Sequence, residues 1–201
     1  MTLPSSGGGN STQQVGYFDV EAPDLAEWMV LGFKGGWRTR PGDVTSMREA
    51  VALLAPGTAV TRYLCVPVGR WTALLSNGPL GTDVGVLPSY AARELGRRAI
   101  RVVIIDDNAA MYPARVLEVF GPQGASPLAI ERSLVAANDG GRWVFETSGA
   151  PYPFEDQAAY LKRSKADRFT TNMVFDYLKA LDVPIDADVD WVHALLVERL
   201  W

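Results

Sequence analysis

Between Ile100 and Thr147 the chain passes through four β-rich stretches, Ile100–Ile105, Ala114–Phe120, Ala129–Ala136 and Trp143–Thr147. Their separators carry Asp106-Asp107-Asn108, Gly121-Pro122 and Asn138-Asp139-Gly140-Gly141. Joining two parallel strands takes a crossover of a dozen or more residues, usually a helix, and none of these gaps has room for one. The stretch is therefore predicted to be an antiparallel meander, and any fold for the chain must be built around it. A second antiparallel pair is expected upstream, where Val60–Val68 and Trp71–Leu75 are joined by Gly69-Arg70 as a tight hairpin.

Helices are expected around these strands. Ser46 and Glu49 have capping-box spacing ahead of an apolar stripe of Met47, Ala50, Val51 and Leu54, which Pro56-Gly57 ends. Pro88 suits a first helical position and Gly96 a C-terminal cap, which places a helix over Pro88–Leu95. Two more are expected over Asp156–Lys165 and Thr170–Leu181, the latter striped by Val174, Tyr177, Leu178 and Leu181. The run Trp28–Phe33, closed by Gly35-Gly36, reads as a strand. The tail Trp191–Trp201 reads as a helix, with a strand as the alternative. Residues 1–16 offer almost nothing to bury and are expected to form a flexible arm before a single domain over 17–201. The expected class is α+β: a mainly antiparallel sheet of about six to seven strands flanked by four to five helices.

Composition removes several function classes. With 201 residues, of which 48% are hydrophobic, the chain can bury roughly 70% of its unfolded surface without disulfide or metal staples. Cys65 is the only cysteine, which favours a reducing compartment and rules out metal sites built on several cysteines. The formal charge is −4, and the densest basic stretch, Lys162-Arg163-Ser164-Lys165 with Arg168, is interrupted by Asp167. Nucleic-acid binding is not expected without a basic stripe. No run approaches the ~20 apolar residues of a membrane span, and the start lacks the basic and apolar regions of a secretion signal. A cytoplasmic location is the expectation.

Catalytic sets are sparse. His193 is the only histidine, so triads and histidine-based metal sites all depend on one side chain. Cys65 lies within YLCVPV, where a buried, inert thiol is expected. The loop NGPLGTDVG, Asn77–Gly85, has the glycines of a phosphate cradle and precedes a helix. It fits neither GxxxxGK[ST] nor GxGxxG, and Asp83 would repel phosphate, so a structural connector is the favoured reading. Carboxylates remain: Asp106 and Asp107 at a strand end, where hard cations are often held, and a glycosidase-like pair such as Glu118 with Glu146. No catalytic residue, cofactor or metal is assigned.

Aromatic and arginine content is more suggestive. Trp37-Arg38, Arg70-Trp71 and Arg142-Trp143 are adjacent pairs beside glycine turns, and strand alternation should place Trp inward and Arg outward. In GAPYPF, Tyr152 and Phe154 lie on a proline-stiffened loop that would lose little entropy on binding. Trp, Tyr and Arg dominate protein interfaces when exposed. The candidate partner-binding residues are thus Trp37, Arg38, Arg70, Asn77, Asp83, Arg142, Tyr152, Phe154 and Arg168. Arg168 is also expected to pair with Glu155 or Glu146.

The segments RWTALLSNGPLGTDVGVLPSYAARELG and RWVFETSGAPYPFEDQAAYLKRSKADRFT carry a resemblance over about a third of the chain. Through the strand at 143–146, the Pro153-Phe154-Glu155 turn, Tyr160 and Asp167-Arg168-Phe169, the chain resembles uncharacterised bacterial proteins similar in character to immunity proteins. That resemblance implies a toxin as partner and carries over no catalytic residue. The expected function is non-enzymatic protein binding, as in an immunity protein that neutralises a bacterial toxin. The alternative is a small-ligand protein or hydrolase working around Asp106, Asp107 and the Asn77–Gly85 loop.

Overall fold

The hairpin expected from Gly69-Arg70 forms as β3 (Arg62–Val68) and β4 (Trp71–Ser76), with Val68 opposite Trp71 and Tyr63 opposite Ser76. The computed structural model describes residues 12–55, 57–79, 81–105, 112–186 and 188–200. The chain packs as two compact units, one of residues 1–85 and 186–201, the other of residues 86–185. The class is α+β with antiparallel sheet. Ten strands and four α-helices lie among the described residues, more strands than the sequence led one to expect.

In the first unit the strand order is β2 (Trp37–Pro41), β10 (Leu195–Arg199), β3, β4 and β1 (Thr12–Phe18), every neighbour antiparallel. The short β5 (Gly81–Thr82) adds a parallel pairing to β1. Three expectations are corrected here. Residues 12–16, expected in the arm, belong to β1, where Val15 is fully buried, and the rest of that expectation lies outside the described residues. Trp28–Phe33 is not a strand. It falls mostly within α1 (Ala22–Gly32), whose buried Ala22, Leu25, Ala26 and Met29 form a stripe of helical period beginning before the apolar run. The tail is the strand of the two alternatives. Leu196 and Val197 are fully buried because β10 is inserted between β2 and β3, so pairing on both sides overrides a pattern that also suits a helix. The second helix, α2 (Met47–Leu53), starts at the expected Ser46 cap, although Glu49 reaches back to Thr45 rather than to Ser46.

The second unit is the predicted meander. Its strands β6 (Ala99–Ile105), β7 (Ala114–Ala125), β8 (Ile130–Asn138) and β9 (Trp143–Ser148) are antiparallel in sequence order. The helix α3 (Leu87–Leu95), with Pro88 in its first turn and Gly96 at its C-cap, packs on β6 and β7. The last helix, α4 (Thr171–Ala180), is capped by Thr170, whose hydroxyl accepts from Met173 N. Its stripe of Val174, Tyr177 and Leu178, with Leu181 beyond, is buried as read. Each such side chain contributes about 1.5–3 kcal/mol when fully removed from water. No helix among the described residues is long and apolar enough to cross a membrane.

The helix expected over Asp156–Lys165 does not form. The segment holds two 3-10 turns instead, η1 (Ala159–Leu161) and η2 (Lys165–Asp167), separated by an extended Lys162. The start is capped, with Ala159 N donating to Asp156 Oδ1 at 3.1 Å, but the bonds that follow run three residues back, as from Lys162 N to the Ala159 carbonyl at 3.1 Å, and the extended Lys162 stops the turn from propagating.

Candidate functional site

Strand alternation places Arg132 on the same face of β8 as Leu134 and Ala136, both fully buried. A guanidinium on that face needs a complete set of acceptors, and the 148–160 segment supplies it. Arg132 Nε donates to Glu155 Oε1 at 2.9 Å and Nη2 to Oε2 at 2.7 Å, a two-pronged pair whose side chains are 4% and 0% exposed. Arg132 Nη1 donates to the carbonyls of Ser148 and Gly149 at 3.0 and 2.9 Å. Glu155 also accepts from Tyr152 N at 2.9 Å and from the Tyr160 hydroxyl at 2.8 Å. Burial alone would raise the Glu155 carboxyl, but the bonds from Arg132, Tyr152 N and Tyr160 outweigh it and hold it below the ordinary carboxylate value. Burial first, then bonding to Tyr177 and Glu155, pushes the Tyr160 phenol far upward, so it stays a neutral donor.

Aromatic rings extend this hub. Tyr152 stacks on Phe154 at 5.1 Å between centroids, Phe154 meets Tyr177 edge-on at 5.5 Å, and Phe145 lies 5.3 Å from Tyr160. The Tyr152 hydroxyl donates to Glu131 Oε2 at 3.1 Å, and Arg98 stands 3.5 Å from the same oxygen. Held in this way, the segment carries Leu161 with 84% of its surface in water, followed by exposed Lys162 and Arg163.

The nine candidate residues divide between the two units. In the second, Tyr152 and Phe154 belong to the hub and are half-buried. Arg168 does not pair with Glu155 or Glu146 as expected, because Arg132 already occupies Glu155. Its Nε donates to the Lys162 carbonyl at 2.7 Å and its guanidinium lies over Phe145 at 5.8 Å. Arg142 is exposed in the β8–β9 turn. In the first unit Trp37 is half-buried with Phe33 and Tyr63, while Arg38 and Arg40 both donate to Glu198 Oε1. Trp71 is buried and Arg70 exposed, with Asp19 at 3.5 Å, so this pair divides inward and outward as alternation requires.

Asn77 is 4% exposed and its Oδ1 accepts from Thr61 N and Arg62 N, both at 2.8 Å. Asp83 Oδ1 accepts from Gly85 N at 2.8 Å. Asp83 thus holds the loop's own backbone and Asn77 ties the loop to the start of β3, as a connector requires. Asp106 and Asp107 lie outside the described residues. Glu118 pairs with Arg101 at 2.7 Å, and β8 lies between its strand and that of Glu146. Cys65 is fully buried, which pushes its thiol up to about 12. His193 is exposed and lies 2.8 Å from Asp190 Oδ2. Among the described residues, no three His, Cys, Asp or Glu side chains converge as metal ligands would.

Sequence reading missed Arg132, Leu161 and Arg115. The signal for Arg132 was present as a charge in phase with apolar residues of β8. The exposure of Leu161 was not readable, because a helix over 156–165 would have given it an inward face.

A second feature of this unit is a cleft of about 410 Å³ lined by Pro113, Arg115, Trp143, Asp167, Thr170 and Asn172, among others. The Arg115 guanidinium stands 5.3 Å from the Trp143 ring centroid, and its Nε donates to Thr171 Oγ1 at 3.3 Å.

No family model matches the chain, and comparison with curated proteins and with solved structures gives no match.

Proposed function

We propose that the chain is a non-enzymatic protein-binding protein whose contact element is the 149–170 segment. The observation that carries this reading is the combination of a rooted segment with an exposed apolar side chain. Single exposed aliphatics are ordinary on protein surfaces. Leu161 follows a residue whose side chain is tied to Glu155, so the chain that carries it is anchored. Preorganisation of this kind lowers the ordering cost of association. Lys162 and Arg163 beside it suit a partner with an apolar pocket and an acidic rim.

Its more specific form is neutralisation of a bacterial toxin by direct contact, as the resemblance of the 143–169 segment implies. A net charge of −4 supports that form through steering of a basic partner. Of the charged residues, 12 basic and 12 acidic lie in the second unit, leaving 7 basic and 11 acidic in the first. The acidic excess therefore belongs to the first unit, where it would act on encounter, while Leu161 would act on the bound state.

Co-expression with the products of neighbouring reading frames tests both forms. The chain should co-purify with one of them and restore growth to cells that this product poisons. Leu161→Asp should lose both effects while unfolding within about 0.5 kcal/mol of the parent, as expected of an exposed site. Recovery of no partner, or equal rescue by Leu161→Asp, refutes the assignment.

A further inference from the structure

We infer that the cleft between Trp143 and the start of α4 is a binding site for a small organic anion bearing a flat apolar ring. This inference does not depend on the protein-binding reading: its donors and ring are Arg115, Trp143, Thr171 and Asn172, and of the 149–170 segment the cleft includes Ala166, Asp167 and Thr170 in its lining. Three features converge. The first is the space itself: about 410 Å³, within the range of small-molecule sites, in a cleft broadly open to solvent. The second is chemical division of the walls. Trp143 and Pro113 offer apolar surface, while Arg115, Thr171 and Asn172 offer donors. The third is the state of the cation. Arg115 contacts Thr171 Oγ1 through Nε and lies over the Trp143 ring, but among the described residues no carboxylate pairs with it. A guanidinium so placed keeps terminal N–H groups for a bidentate oxyanion.

The first turn of α4 reinforces the donor wall without being the basis of the site. Thr170 Oγ1 takes Met173 N, while the amides of Thr171 and Asn172 precede the first intrahelical bonds, and no acidic residue lies in that turn. A lone acidic side chain from a partner protein would use the donors but leave Trp143 uncovered, so a small molecule with its own ring uses the cleft more completely. Asp167 also lines the cleft, three residues before the Thr170 cap, is exposed, and works against an anion. Its carboxylate accepts a hydroxyl or N–H of a ligand and opposes a negative group placed beside it.

The presence of Asp167 gives the test two arms of opposite sign. Phenyl phosphate, phenylacetate and the neutral 2-phenylethanol are titrated into isotopically labelled full chain at millimolar concentrations, with amide and indole resonances observed. At least one anion should produce saturable shifts at Thr171, Asn172 and the Trp143 indole, with the alcohol producing none. Arg115→Gln should weaken binding roughly tenfold or more, the scale of a lost hydrogen bond to a charged group. Asp167→Asn should tighten it by about two- to fivefold through removal of a partly screened like charge. Because Asp167 is exposed, this second variant is informative even if Arg115→Gln disturbs the fold. Absence of saturable shifts with both anions, equal binding of the alcohol, or no gain from Asp167→Asn overturns the inference.

Discussion

Glu155→Ala should destabilise the chain by about 3–5 kcal/mol, the range for removing one member of a buried ion pair. The substitution leaves the Arg132 guanidinium, 4% exposed, without its carboxylate, and it removes the acceptor for Tyr152 N and the Tyr160 hydroxyl. Glu155→Gln keeps one acceptor oxygen and should cost less. Replacing Arg132 and Glu155 together by methionines should recover much of the loss, since no buried charge then lacks a partner. Denaturant unfolding followed by tryptophan fluorescence and circular dichroism checks all three, and a loss under about 1 kcal/mol for Glu155→Ala would show that the pair is not buried as described.

The same residue sets a pH dependence. Its carboxyl is depressed in the folded chain, where bonds from Arg132, Tyr152 N and Tyr160 overcome the opposing effect of burial. A depressed carboxylate adds stability that is fully present above the unfolded value of about 4.5 and is lost as pH falls through the lower folded value. The stability gap between the parent and Glu155→Gln should therefore be constant above about pH 5.5 and shrink steadily below about pH 4.5. A gap that widens on acidification would reverse the assigned direction.

Local chemistry carried most of the fold into the sequence. The meander was legible because its connections are too short for crossovers, and the Ser46, Thr170 and Gly96 termini because capping depends on one or two residues. What stayed hidden was decided by partners distant in sequence. β10 is a strand because β2 and β3 stand on either side of it, more than 100 residues upstream. The 156–165 segment breaks into two 3-10 turns around an extended Lys162, and its first amide is held by the Tyr177 hydroxyl of α4. The site followed the same rule. The aromatic content of Tyr152 and Phe154 was visible, but their half-buried packing was not. The pairing expected between Arg168 and Glu155 does not form, because Arg132 takes that carboxylate. A charged residue in phase with a buried strand face was the one local sign of that hub.

Gly149→Ala should be nearly as damaging as the loss of Glu155, for a different reason. Gly149 has φ of +80°, and a Cβ added there would collide with the Glu131 carbonyl oxygen and approach Arg132 Cα at 3.2 Å. The backbone conformation alone costs about 1–2 kcal/mol for an L side chain. Forcing β8 away from the segment adds about 1–3 kcal/mol, as overpacking elsewhere does. It would also lengthen the bond from Arg132 Nη1 to the Gly149 carbonyl, now 2.9 Å. Gly141 separates the two contributions, since its φ is +102° and an added Cβ there meets nothing within 4 Å. Gly141→Ala should therefore show the backbone cost alone, about 1–2 kcal/mol, and Gly149→Ala clearly more. In the proposed role the second variant should also lose the partner at temperatures where the chain is still folded, because the segment that presents Leu161 begins at that glycine. Equal effects of the two alanines in unfolding experiments would mean that the close approach of Gly149 to β8 does not constrain the segment, and that Leu161 is presented by the Glu155 bonds alone.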